Sequence, residues 1–175
     1  FFIPSISGAV PTIPNMVPLV KSDGSLRTPW ADDNQNTVVD GGTTRYFSNS
    51  QRSDSGDCTN INSPCKSLAK MKSVRASRDN ILFRRGDSWS GNIQPNTGPS
   101  GNSSDYTIYG AYGPTNLARP IINGDKSSSQ FENKSYIWTD RMINKNHDSF
   151  RITTGSHHLV WSYWVNEDNN YTCCN

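Results

Sequence analysis

The 175-residue sequence predicts an all-β fold in one domain, and three observations predict it. Strong helix formers are scarce, with 6 Ala, 6 Leu and 2 Glu against 12 Ile, 8 Val and 13 Thr, residue types that favour extended chain. The β-prone runs are short and separated by Gly, Asn and Ser, and a single stretch has helical periodicity. The length suits one hydrophobic core and cannot hold two ordinary enzyme domains.

Ser, Asn, Thr and Gly together make 69 of the 175 residues, so the surface is polar and neutral. That composition excludes a membrane protein. Seventeen Lys and Arg stand against fifteen Asp and Glu, with no basic stripe of the kind that follows a phosphate backbone, which argues against nucleic acid as a partner. There is no initiator Met, basic leader or apolar run long enough to span a bilayer, so we expect a processed chain, or a piece of a longer one, without a membrane anchor.

Residues 1–20 carry no charge and four of the ten prolines, each following Ile or Val. Proline fixes φ and pushes its predecessor toward extended geometry, so this segment is expected to be an extended apolar arm that needs cover. Phe1, Phe2, Ile3, Ile6, Val10, Ile13 and Val17 are the side chains to bury. The arm packs along its own domain or docks on a second copy by strand addition.

Residues 21–44 read as a linker; Asp32 to Asn36 resembles a calcium loop but lacks its Gly and closing Glu. The remaining domain, 45–175, opens with the strand-like Arg45-Tyr46-Phe47-Ser48. The helix is expected near 65–74, where Leu68, Met71 and Val74 recur every third residue behind a Ser63-Pro64 start signal. Strand-like runs follow at Ile81 to Phe83, Tyr106 to Tyr109, Pro120 to Ile122, Tyr136 to Trp138, Phe150 to Ile152 and His158 to Trp161. Their uneven spacing suits a solenoid with variable loops better than a sandwich of even hairpins, although periodicity alone leaves the two close.

Cys58, Cys65, Cys173 and Cys174 form an even set in a polar, Glu-poor chain, which fits an oxidising, extracellular setting. Pairing of Cys58 with Cys65 is favoured because it closes a short loop. Cys173 and Cys174 either bond to each other or point apart toward other partners. Zinc is disfavoured, because no C-x-x-C pair exists and the adjacent His157 and His158 would diverge on a strand. No cofactor is implied. Sequons at Asn102, Asn133 and Asn170 predict N-glycosylation of a secreted chain.

The order of segments within 45–124 carries a resemblance. Tyr46-Phe47-Ser48, Ser63 to Lys70, Asn80 to Gly91, Tyr106 to Gly113 and Pro120 to Gly124 together resemble the opening of secreted proteins of the pectate-lyase-like superfamily. The resemblance implies a right-handed parallel β-helix solenoid whose first coil is capped by the short helix. It implies that Gly86-Asp87 makes a turn, that Trp89 covers the core edge, that Gly110 and Gly113 sit at corners, and that Ile81, Phe83, Ile108, Ile121 and Ile137 stack inward. In that superfamily the catalytic groove lies on later coils, so no catalytic residue has a matching position.

Several residues remain as candidate contacts. Arg84 and Arg85 beside Asp87 could hold an acidic glycan, although a structural ion pair at a turn is favoured. Trp161, Tyr163 and Trp164 offer aromatic faces, with Trp164 opposite the other two, and Trp164 could meet a sugar or a subunit. His157 and His158 lack a recognisable acid partner. Asp140-Arg141 and Asp125-Lys126 are expected to be exposed loop charges. The expectation is a secreted, N-glycosylated, non-catalytic structural subunit that self-associates, to the point of forming a filament, through its arm and an open solenoid end. The alternatives are the front portion of a polysaccharide lyase or glycoside hydrolase, or a module that binds a polysaccharide.

Overall fold

A computed structural model describes residues 37, 41–50, 53–93, 97–124, 129–147, 150–162 and 165–167. The strands are β1 (Thr44–Phe47), β2 (Asn80–Arg84), β3 (Ser88–Ser90), β4 (Thr107–Tyr112), β5 (Ile121–Asn123), β6 (Ser129–Phe131), β7 (Ser135–Asp140), β8 (Ile143–Lys145), β9 (Phe150–Ile152), β10 (His157–Ser162) and β11 (Val165–Glu167), with one helix, α1 (Leu68–Val74), between β1 and β2. The arm 1–20, Tyr163, Trp164, Asn170, Cys173 and Cys174 lie outside the described residues, as do Asp32 to Asn36 and the Asp125-Lys126 pair.

The strands form a five-stranded sheet in the order β1-β2-β4-β7-β10, a four-stranded sheet in the order β11-β8-β5-β3, and a two-stranded ribbon of β6 and β9. Every pairing among them is parallel. Parallel neighbours cannot be joined by a hairpin, and here the chain leaves the larger sheet, supplies a strand to the smaller one and returns. In the larger sheet Phe47 lies beside Phe83 and Phe83 beside Ala111, and Ile108, Trp138 and Val160 stand side by side across β4, β7 and β10.

The right-handed parallel β-helix solenoid expected from the sequence is therefore corrected. The described residues make separate parallel sheets of five and four strands, beside a two-stranded ribbon and one short helix. These sheets are of unequal size, and the long stretches from 53 to 67 and from 98 to 106 are turn, bend and loop, crossed only by one isolated bridge at Cys65. A uniform stack of coils is a poor description of such an arrangement. Apolar runs identify strands, but which strands become neighbours depends on long-range packing that local pattern does not encode.

The main core gathers Phe47, Ile81, Phe83, Tyr109 and Ile137 from the larger sheet, Trp89 and Ile122 from the smaller, and Phe131 from the ribbon, with Leu68 and Met71 of α1. Phe83 meets Phe47 at 5.8 Å and the edge of Trp89 at 5.0 Å between ring centroids. A second cluster of Tyr106, Ile108 and Trp138 occupies another part of the interior, with Tyr136 and Val160 packed against it. Strand β4 is buried along its whole length, as expected for a parallel sheet covered on both faces.

Helix α1 starts at Ser67, not at Ser63. The Ser67 hydroxyl accepts the Lys70 N–H at 3.0 Å, which satisfies one of the donors a helix start leaves open. Asp54 braces this start by accepting from the N–H groups of Lys66 and Ser67 at 2.7 and 2.9 Å and from the Ser67 hydroxyl at 2.6 Å.

Candidate functional site

The Cys58–Cys65 disulfide is present, with Cα atoms 5.2 Å apart. Its loop lies along β1. Tyr46 N–H donates to Cys58 O at 2.7 Å, Cys65 N–H to Tyr46 O at 3.0 Å and Ser48 N–H to Cys65 O at 2.8 Å. The same region reaches β3, where the Trp89 indole donates to Lys66 O at 2.8 Å and the Asn49 amide to Ser88 O at 2.6 Å. The disulfide loop thus covers β1 in the larger sheet, while the neighbouring Asn49 and Lys66 reach β3 in the smaller. At the opposite flank, β10 and β11 are the last strands of the same two sheets, and among the described residues no strand pairs beyond either.

Arg84 and Arg85 separate. Arg85 is buried, at 4% exposure, and so is withdrawn from any surface contact. Arg84 stays partly exposed, donates to Ser50 Oγ at 3.0 Å and lies 3.9 Å from Asp87. Asp87 in turn accepts from the Ser48 hydroxyl at 2.6 Å. Between them Gly86 takes φ of +82°, a left-handed turn that a side chain would oppose.

Asp140 and Arg141, expected at an exposed loop, are both fully buried and paired with each other. Asp140 accepts from the hydroxyls of Thr37 and Ser162, each at 2.7 Å, and Ser162 Oγ accepts the Trp138 indole N–H at 2.9 Å. Burial pushes the Asp140 carboxyl above the ordinary aspartate range, against the pull of these hydrogen bonds and of Arg141. Thr37 is also bonded to β4, giving its N–H to Ala111 O at 2.9 Å and accepting the Ala111 N–H at 2.8 Å. Gly110 makes room for it, since a Cβ there would overlap the Thr37 side chain. This network ties residue 37 to β4, β7 and β10.

His157 and His158 do not diverge. His158 adopts φ of +53° and Tyr136, its counterpart on β7, adopts +54°, in a left-handed region that ordinary side chains seldom occupy. The bend turns both imidazoles to the same side, where their Nδ1 atoms approach to 2.6 Å. The His158 ring stacks on Tyr136 with centroids 4.5 Å apart and planes 15° from parallel. His157 is exposed and His158 half-buried. Neighbouring residues can share a side only through such a backbone reversal, and alternation along a strand carries no signal for it.

Trp161 is half-buried and meets Phe131 edge-on at 5.6 Å, packing against the main core. Asn102 and Asn133 are exposed. The Asn102 side-chain oxygen accepts from the N–H groups of Ser104 and Asp105 at 2.9 and 3.0 Å, and Asn133 sits at φ of +51° in the turn between β6 and β7. Among the described residues no three His, Cys, Asp or Glu side chains gather as a metal cluster, and no helix is long and apolar enough to cross a membrane.

The described carboxylates serve as local acceptors: Asp54 at the start of α1, Asp57 for Thr59 at 3.1 and 2.8 Å, Asp79 for Arg45 at 2.7 Å and for Ala76 N–H at 2.8 Å, and Asp105 for Arg78 at 3.4 Å. No family model, curated protein or solved structure matches the chain, so nothing in these comparisons identifies the pectate-lyase-like superfamily that the segment order resembles.

Proposed function

We propose that this protein is a secreted, N-glycosylated, non-catalytic structural subunit that self-associates outside the cell. The observation that carries the reading is the asymmetry of its two flanks. One is closed by the Cys58–Cys65 loop and α1. The other ends at β10 and β11, with no further strand among the described residues. A sheet edge presents backbone donors and acceptors that attract another extended chain. The occupant we assign is the uncharged arm, residues 1–20, of a second copy, whose prolines favour extended geometry and which is rich in apolar side chains.

Further support comes from the carboxylates among the described residues, whose contacts organise turns, a helix start and ion pairs and do not converge on a cleft. The disulfide and the exposed Asn102 and Asn133 suit an oxidising, glycosylating route to the surface. The test is sedimentation of the full chain over a range of concentrations, with and without residues 1–20. The expected result is concentration-dependent association that the truncation abolishes and that the free arm peptide blocks in the full chain. A full chain that stays monomeric throughout overturns the proposal, as does association unaffected by removing the arm.

A further inference from the structure

The converging imidazoles of His157 and His158 are not used by the strand-edge reading. A hydrogen bond between two Nδ1 atoms at 2.6 Å, with ring centroids 4.9 Å apart, requires one ring to donate and the other to present its lone pair, so the two nitrogens face each other on one side of the strand. A cation shared by both would sit beside that line, with each ring turned so that its lone pair meets the ion. With metal–nitrogen bonds of about 2.0 Å, two imidazoles at a right angle place their nitrogens about 2.8 Å apart, so chelation needs the pair to part by a few tenths of an ångström while each ring turns toward the ion.

The surroundings hold this arrangement. Tyr136 stacks on His158 and meets His157 edge-on, with centroids 5.7 Å apart and planes at 86°, so both imidazoles pack against one side chain. Such packing restricts the rings and lowers the ordering cost of binding. The left-handed backbone at His158, repeated at Tyr136 one strand away, is the feature that brings two consecutive side chains together.

We propose that His157 and His158 form a two-imidazole binding site for a divalent transition-metal ion, best filled by Cu(II). Two nitrogen ligands with the remaining positions open to water match the tetragonal nitrogen and oxygen coordination that Cu(II) prefers, and Cu(II) binds such donors more tightly than Zn(II) or Ni(II). On binding, the hydrogen between the two Nδ1 atoms moves to Nε2 of its own ring. Both Nδ1 lone pairs then face the ion.

The experiment is titration of the full chain with Cu(II), followed by calorimetry and by electron paramagnetic resonance. The site predicts one tightly bound ion per chain with splitting from two imidazole nitrogens. His157→Asn should weaken binding at least tenfold and reduce the pattern to one imidazole nitrogen, and His158→Asn, a residue that tolerates the left-handed backbone, should do the same. Circular dichroism of each variant establishes that it is folded. If both folded variants bind Cu(II) as the parent does, or the parent spectrum shows fewer than two imidazole nitrogens, the proposal is overturned.

Discussion

At the scale of single residues, the buried pair of Asp140 and Arg141 is the contact with the largest consequence. A guanidinium in the interior is tolerable only while a carboxylate answers it, because desolvating an unpaired charge costs several kcal/mol. Asp140→Asn retains the shape and accepts from one hydroxyl, but leaves Arg141 without its counter-charge. It should lower stability by about 3–5 kcal/mol, read as a shift in the urea midpoint at unchanged slope. Because Thr37 and Ser162 donate to the same carboxylate, the loss should also increase hydrogen exchange at Ala111, whose N–H is held by Thr37. This cluster was not legible in the sequence: Asp-Arg between two apolar runs looks like a solvated turn, and Thr37 and Ser162 lie far from it along the chain.

At the scale of elements, α1 depends on a carboxylate that precedes it by many residues. Burial is the largest single influence and raises the Asp54 pKa, but the hydrogen bonds from the Ser67 hydroxyl and from the N–H groups of Ser67 and Lys66, with the charge of Lys70, together outweigh it and hold the group below its ordinary value of 3.8. A depressed folded pKa means that the stabilisation is fully present above the unfolded value and is lost as pH falls through the folded one. The stability difference between the parent and Asp54→Asn should therefore be largest at about pH 7 and shrink toward zero at about pH 2, as measured by thermal unfolding at each pH.

The helix itself was legible from the threefold spacing of Leu68, Met71 and Val74, but its start was misplaced at Ser63. Either serine can cap, and what selects Ser67 is Asp54, a contact invisible to local pattern. Seven of the eleven described strands, β1, β2, β4, β5, β7, β9 and β10, were found from their runs, the short β3, β6, β8 and β11 were not, and the facing was found less well. Ile81, Phe83 and Ile137 enter the main core as expected, whereas Ile108 belongs to the second cluster and Tyr109 takes its place. Ile121 is half-buried, and Ile122 is buried instead. A sheet covered on both faces erases the alternation that would tell the two sides apart. The convergence of His157 and His158 was hidden for a related reason, since it depends on a left-handed residue within a strand pair.

At the scale of the whole molecule, the Cys58–Cys65 link holds the cap in place. With a sequence separation of 7, its closure stabilises the fold by about 2–3 kcal/mol in the chain-entropy account. Cys58→Ser with Cys65→Ser should lower stability by about that amount, seen as a fall in the thermal midpoint. The hydrogen bonds from Tyr46, Cys65 and Ser48 along this loop should also exchange faster, because the first strand of the larger sheet loses its cover. If only the cap loosens, β7 to β10 pairing keeps its protection.

The covered flank gives any assembly a sense of direction. A subunit that offers an acceptor at β10 and β11, and is sealed at β1 by its own covalent bond, cannot join a neighbour back to back. Added copies would all point the same way. Breaking that sulfur link would bare a second edge, so the oxidation state of one cysteine pair would decide how many docking edges each copy presents.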